Sequence, residues 1–219
     1  MPSDSARLGA LHSAAIVMTD RLLSLARAIA RKDARVLDRL RSSPALATAV
    51  FAGGATRESA REYFLEPIAH YVYAGDTLLH VAAATYAIDV AKALVAAGAE
   101  VRARNRRGAE ALHYAADGGP GHERWDPQAQ AAMVAFLIEA GADPNALDKS
   151  GVAALHRAAR TRCTGAVRAL LAGGADLRLK NKSGSTPLDL ASATTGRGGS
   201  GSAEAKREQE QILALLAID

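Results

Sequence analysis

The apolar residues of the chain recur at helical spacing in three separate segments. These positions are Val90, Leu94 and Val95, then Val134, Leu137 and Ile138, then Val167, Leu170 and Leu171. Apolar residues spaced in this way lie on one face of a helix, so each segment is predicted to be an amphipathic helix.

The composition favours thin helices that pack closely side by side. Of the 219 residues, 49% are hydrophobic but only 4% are aromatic, and alanine is abundant. Small side chains suit neighbouring helices better than they suit a sandwich or a barrel. We therefore expect an all-α fold, with enough apolar residues for one substantial core.

Two short motifs repeat in the same register. The first begins at Gly75, Gly108, Gly151 and Gly184, so successive copies are 33, 43 and 33 residues apart. The second motif is a small residue, then Gly-Ala, then an acid, and it keeps the last two spacings at Ala97–Glu100, Ala140–Asp143 and Gly173–Asp176. Two motifs in one register indicate a repeated structural unit.

The repeated unit resembles the ankyrin repeat over Val72 to Asp219. That family's pattern is glycine, Thr-Pro-Leu-His, alanines, a second helix with paired leucines, and Gly-Ala-Asp. Thr186 and Pro187 keep the Thr-Pro step, whereas Asp189 replaces the histidine. The resemblance implies an ankyrin-repeat solenoid, a right-handed stack of about five helix-turn-helix units with finger loops between them, whose apolar faces are buried by stacking.

We divide the chain at residue 71. Residues 72–219 are assigned to four repeats, 72–104, 105–147, 148–180 and 181–219, and residues 1–71 to a cap and a degenerate first repeat. In the latter, Leu25 to Leu40 is predicted to be a helix pair with its turn at Ala28–Asp33. Residues 1–19 are expected to form a cap helix or to fray. The long excursion from Ser42 to Pro67 is predicted to contain a helix from Glu58 to Glu66.

One insert lies inside the second clear repeat, at Asp117–Pro127, between its two helices. It carries the single tryptophan, Trp125. An exposed tryptophan beside charged residues is typical of a binding anchor, while the alternative is a loop that its tryptophan tucks back onto the protein.

A second, glycine-rich insert lies in the last repeat, at Thr194–Ser202. Its glycines match a dinucleotide-binding spacing, but that motif needs a preceding strand, and here a helix precedes it. We interpret this insert as a flexible connector, with a weak anion site near Ser202 as the alternative. Both inserts interrupt the turn between two helices, so we expect them on the same lateral edge.

His80, His113 and His156 recur once per repeat, too far apart to share an ion. In the family this histidine hydrogen-bonds the neighbouring loop backbone, so we expect a structural role and no metal or cofactor. Cys163 is the single cysteine, which fits a reducing compartment. The absence of an export signal or an apolar span makes a cytoplasmic location the expectation.

The net charge of +4 favours a partner with carboxylates or phosphates. The main hypothesis is therefore a scaffold that binds another protein, with an acidic segment, on the concave face formed by the fingers and first helices. The chain is expected to be a monomer. The predicted partner-binding residues are Tyr73, Asp76, Arg104, Arg106, Arg107, Trp125, Lys149, Arg160, Lys180 and Lys182.

Two alternatives stay open. One is a small-molecule or anion site, or an enzyme, at a rim where the two inserts meet. Its residues would be His122, Glu123, Trp125, Arg160, Arg162 and Arg197, although no nucleophile, base and orienting group is recognisable among them. The other is nucleic-acid binding through the basic cluster Arg102, Arg104, Arg106 and Arg107, for which stacking aromatic residues are scarce.

Overall fold

The computed structural model describes residues 4–120, 123, 125–193 and 201–217; for residues 4–16 it describes the backbone alone. These residues form five consecutive helix pairs. The first helices are α1 (Asp4–Ala30), α3 (Leu78–Ala84), α5 (Ala111–Ala115), α7 (Ala154–Thr161) and α9 (Pro187–Ser192). The second helices are α2 (Val36–Ser42), α4 (Ile88–Ala96), α6 (Pro127–Glu139), α8 (Thr164–Ala172) and α10 (Ala203–Leu216).

The helices form two layers. Each first helix packs against the first helix of the next pair, and each second helix packs against the next second helix. Leu79, Leu112 and Leu155 of the first layer are buried, as are Leu137 and Leu170 of the second. One continuous core therefore joins neighbouring pairs, and the prediction of an all-α solenoid is confirmed.

Three of the five first helices, α1, α3 and α7, end in the same backbone conformation. Lys32, Tyr86 and Arg162 have φ of 57°, 54° and 63°, in the left-handed region. The next amide donates back to a carbonyl five residues earlier, as Asp33 N does to Ala28 O at 3.0 Å. This is the Schellman termination of a helix, and it turns the chain into the second helix. The helix pair predicted around residues 25–40 is present, but its turn lies at residues 31–35 rather than at Ala28–Asp33, because α1 continues to Ala30. The predicted cap helix is continuous with α1.

The predicted helix from Glu58 to Glu66 is wrong. Residues 57–63 form turns, followed by β1 (Phe64–Leu65), a 3-10 turn at Glu66–Ile68 and β2 (His70–Tyr71), which pairs antiparallel with β1. The side chains of Thr56 and Ser59 bond nearby backbone groups, which competes with helix formation.

The predicted excursion of residues 42–67 corresponds in the structure to residues 47–73, which fold back over the first helices and are called the excursion from here on. Arg27 of α1 donates to Glu62 O at 2.7 Å, and β1 packs against α1. Farther along, the ring of His70 packs edge-on against that of Tyr114 of α5, with centroids 4.6 Å apart. The excursion therefore covers part of the first-helix face between α1 and α5.

Candidate binding surfaces

The finger loops before α5, α7 and α9 are closed by the same side-chain arrangement. Asn105 Oδ1 accepts from the backbone amides of Arg107 at 2.8 Å and Ala109 at 3.1 Å. Asp148 and Asn181 make the equivalent two bonds, at 2.7 to 3.1 Å. A glycine with φ between 71° and 79° follows three residues later in each finger, so each tip is a fixed turn.

Backbone hydrogen bonds connect the finger tips to one another. Arg106 N donates to Ala74 O at 2.7 Å, Lys149 N to Arg107 O at 2.9 Å, and Lys182 N to Ser150 O at 3.0 Å. The residue directly after the closing Asn or Asp is basic in all three fingers. The ladder therefore places Arg106, Lys149 and Lys182 on successive tips, side by side.

At one end of this ladder, two guanidinium groups lie over Tyr73. The Cζ atoms of Arg106 and Arg107 are 5.2 and 5.1 Å from the ring centroid, within cation–π range. Arg107 also donates to Tyr73 Oη at 3.1 Å, and Arg106 donates to Ala55 O in the excursion. Both arginines remain exposed, and neither has a carboxylate within 4 Å in the described part of the chain.

The other predicted cations fall into two groups. Lys149, Lys180 and Lys182 are exposed, and no described carboxylate lies within ion-pair distance of them. By contrast, Arg104 pairs with Glu110 at 3.0 Å, and Arg160 lies 3.7 Å from Asp117. The first group keeps its charge available to a partner, whereas the second is partly neutralised within the chain.

The prediction that Asp76 points outward is wrong. Its side chain is 1% exposed, and its carboxylate accepts from Tyr114 Oη at 3.0 Å and from Asn105 Nδ2 at 2.9 Å. The backbone amide of Tyr73 donates to it at 2.7 Å. Asp76 thus links the second helix pair to the third. A signal was available, because the equivalent position in the next finger is the apolar Ala109.

The Trp125 side chain packs back against the protein and does not project into solvent as a binding anchor would. Its indole is half-buried and donates to Gln130 Oε1 at 2.8 Å, and Gln130 Nε2 donates to Ala115 O at 3.0 Å. The same insert is held at Gly119, where a Cβ atom would lie 1.8 Å from Thr161 O. These contacts favour the second interpretation of the insert, as a loop that its tryptophan fixes in place.

The other insert, Thr194–Ser202, lies outside the described residues except for Gly201 and Ser202. Its expected position on the same edge stays a prediction. Ser202 caps the N-terminus of α10, where its hydroxyl accepts from Ala205 N at 3.0 Å. The segment that the Asp117–Pro127 insert does approach is the excursion, and the two face each other across a cavity of about 80 Å³.

The structural role predicted for the histidines is confirmed. Nδ1 of His80, His113 and His156 accepts the amide that starts its own first helix, at 3.1 Å in each case. Nε2 lies 3.0 to 3.2 Å from a carbonyl oxygen of the next finger. Burial lowers the pKa of all three, to about 4 for His113. Asp189 takes the fourth position and accepts from Thr186 N at 2.8 Å.

The rim site of the enzyme hypothesis is only partly described. Arg162 is buried and donates to Ala193 O at 3.4 Å, and His122 and Arg197 lie outside the described residues. Within the described part of the chain, no three metal-binding side chains cluster. Burial raises the pKa of the Cys163 thiol to about 11, so the protonated form prevails at neutral pH.

Comparison with known protein families identifies the repeat. The model for "Ankyrin repeat" matches residues 74–106 and 107–149, and the model for "Ankyrin repeats (many copies)" matches residues 137–191. Together these matches span more than half of the chain, and the chain belongs to the ankyrin-repeat family. No curated protein matches the chain at a significant level.

Family membership sets the broad class of function. Ankyrin repeats generally mediate protein–protein interactions, and ankyrin-repeat proteins are typically non-enzymatic scaffolds. None of the described helices is both long enough and apolar enough to cross a membrane.

Proposed function

We propose that the protein is a scaffold that binds an acidic segment of a partner protein along its finger surface. The finger surface consists of Tyr73, Arg106, Arg107, Lys149, Lys180 and Lys182. The observation that supports this function most directly is the row of exposed cations on successive hydrogen-bonded tips. Such a row steers acidic partners and can donate charge-assisted hydrogen bonds to carboxylates.

The acid within the fingers does not cancel this charge. Asp148 is adjacent to Lys149, but its Oδ2 lies 3.1 Å from Arg157 Nη2, and two backbone amides donate to its Oδ1. Those amide bonds and Arg157 hold the pKa of Asp148 below its ordinary value despite partial burial. The negative charge of Asp148 is thus paired within the finger. The positive charge of Lys149 is left without an ion-pair partner in the described part of the chain.

The proposed surface is narrower than the whole concave face. The excursion lies over the first helices from α1 to α5, which leaves the finger tips as the accessible part of that face on this side of the molecule. Arg106 also bonds the excursion at Ala55 O, so we assign the main contacts to Lys149 and Lys182, on the tips before α7 and α9.

Nucleic acid fits the same residues less well. Two arginines of the basic cluster are already paired, Arg102 with Asp143 at 3.2 Å and Arg104 with Glu110 at 3.0 Å. Tyr73, the one aromatic residue of the finger surface, lies under two guanidinium groups and is not free to stack on a base. A protein partner is therefore the better match.

The partner class can be tested with immobilised poly-L-glutamate as a defined acidic probe. The double variant Lys149→Glu/Lys182→Glu is compared with Lys92→Glu/Arg168→Glu, which makes the same charge change at exposed positions of α4 and α8. Reversing two unpaired surface charges should weaken capture at low salt by at least about tenfold. The control variant should bind like the unaltered protein, and both should unfold at nearly the same temperature.

Equal capture of the two variants would show that only net charge matters and would contradict the proposal. A parallel titration with single-stranded oligodeoxynucleotide separates the alternative. Tighter binding of the oligonucleotide than of poly-L-glutamate at matched charge and salt would favour nucleic acid.

A reducing compartment such as the cytoplasm is also proposed, since the single cysteine, Cys163, is buried as a free thiol. Monomeric behaviour remains a prediction that the molecular mass in solution can check.

A further inference from the structure

Each finger tip is linked to the next by the same backbone connection. The residue after Arg106 is Arg107, whose carbonyl oxygen accepts from Lys149 N at 2.9 Å. The residue after Lys149 is Ser150, whose carbonyl oxygen accepts from Lys182 N at 3.0 Å. Arg106, Lys149 and Lys182 are therefore equivalent positions related by one repeated shift, and we call them the cation row.

This connection sets the distance between neighbours in the cation row. One shift consists of a peptide unit, in which consecutive Cα atoms lie about 3.8 Å apart, and a backbone hydrogen bond, across which the Cα atoms lie about 5.5 Å apart. The first helices behind the tips, α5, α7 and α9, pack on one another, and the axes of packed helices lie about 8 to 10 Å apart. Both estimates give the cation row a period of about 9 Å.

The finger tips offer a partner exposed side chains but no free backbone amides. The amides of Arg106, Lys149 and Lys182 donate to carbonyl oxygens of the preceding loop. The amide that follows each of them donates to the closing Asn or Asp side chain. A partner strand therefore cannot pair with the tips through their amides, and recognition falls to the exposed side chains of the cation row.

The period of the cation row can be compared with that of each regular backbone conformation. Side chains on one face of a β-strand recur after about 6.6 or 13 Å, and those on one face of an α-helix after about 5.4 or 10.5 Å. A polyproline II helix has about three residues per turn and rises about 3.1 Å per residue, so every third side chain lies on one face, about 9.3 Å from the last. Of the three conformations, polyproline II matches a period of about 9 Å most closely.

We infer that the acidic segment of the partner binds as a polyproline II helix with an acidic side chain at every third residue, one opposite each member of the cation row. The backbone of this conformation has no internal hydrogen bonds and stays solvated, which suits an exposed edge of finger tips. The inference rests on the proposed function and adds to it the conformation of the segment and the spacing of its acids.

Two peptides of identical composition test the spacing. The spaced peptide is Pro-Pro-Glu repeated three times, whereas the alternating peptide has the same prolines and glutamates with glutamate at every second position of its central part. Proline holds both in polyproline II, so they differ only in which faces carry the carboxylates. Calorimetric titration of the full chain at low salt should show about fourfold tighter binding of the spaced peptide, because it places two more carboxylates opposite cations, each worth about twofold at an exposed site.

Two single variants locate the preference. Lys149 is the middle member of the cation row, so Lys149→Ala should lower the preference for the spaced peptide to about twofold. Lys180 is an exposed residue of the finger surface with the same charge, but it lies outside the cation row. Lys180→Ala should weaken both peptides to the same extent and leave their ratio unchanged.

Equal binding of the two peptides, tighter binding of the alternating peptide or no binding of either would overturn the inference. So would an equal loss of preference in Lys149→Ala and Lys180→Ala. In those cases, capture by poly-L-glutamate that still depends on Lys149 and Lys182 leaves the proposed function standing, whereas the loss of that dependence overturns both. The peptide comparison uses the unaltered chain, so it decides the question even if a variant does not fold.

Discussion

The fingers closed by Asn105 and Asn181 share one local design but lie in different surroundings. In both, the amide side chain accepts two backbone amides and fixes the turn. Asn105 is 4% exposed and also donates to Asp76, whereas Asn181 is only half-buried and has no such second role among its described contacts. The difference arises because other residues cover Asn105, which lies on the side of the molecule where the excursion is. Asn181 is not covered in this way and is partly exposed to solvent.

The repeat motif fixes the conformation of a finger, whereas the surrounding residues decide whether its polar side chains are buried or exposed. Where the chain covers the finger, polar residues join a buried network that connects neighbouring repeats. Where it does not, the same positions present charge to solvent. This contrast leads to the following predictions, from the largest expected effect to the smallest.

Replacing each of the two asparagines with alanine should show the difference between the two fingers most clearly. Asn105→Ala removes two backbone-closing bonds and also leaves the buried carboxylate of Asp76 with one donor fewer, so we expect a loss of about 3 to 4 kcal/mol in unfolding free energy. Asn181→Ala removes only the closing bonds and should cost about 1 kcal/mol. Urea unfolding of both variants measures the difference. Equal losses would mean that the buried network adds nothing to the finger.

Lowering the pH should reduce the stability contributed by the buried histidines before it reduces the stability contributed by Asp189. Burial, with a contribution from Arg157, lowers the pKa of His113 to about 4. The unfolded chain therefore binds more protons than the folded chain between about pH 6.5 and 4. The stability from His113, about 3 kcal/mol, is complete above this window and is lost as the pH falls through it. The lowered pKa values of His80 and His156 act in the same direction.

Asp189 behaves differently, because bonds from Thr186 lower its pKa from an ordinary 3.8. Its contribution persists through that window and is lost only below it. Unfolding free energy measured from pH 7 to 4 should fall less steeply in His113→Gln, whereas Asp189→Asn should leave the slope unchanged. A His113→Gln variant as acid-sensitive as the unaltered chain would contradict this account of His113.

The fold could be predicted from the sequence because stacking repeats leave a periodic record. Glycine and histidine recur at fixed offsets, and each has a local role that the structure confirms at His80, His113 and His156. The excursion has no such periodicity, so the helix assigned to Glu58–Glu66 rested on local pattern alone. Local side-chain bonds at Thr56 and Ser59 and the strand pair after them took its place.

The candidate site was predictable in part. The cations after each closing Asn or Asp follow the repeat register, and the structure places Arg106, Lys149 and Lys182 on adjacent tips. For the burial of Asp76 the one signal was the apolar Ala109 at the equivalent position of the next finger, because the groups that bind Asp76, Asn105 and Tyr114, lie in the next repeat. The cavity beside His70 lies where two non-repeating segments meet the ends of regular helices, and it left no motif to recognise.

The central claim is that an acidic chain lies along the finger tips, and amide hydrogen exchange with and without poly-L-glutamate tests it most directly. We expect slower exchange in the finger segments 104–109, 148–152 and 181–185, with no change in the second helices α4, α6 and α8. Protection concentrated in those second helices, or none in the segments that contain Lys149 and Lys182, would contradict the account.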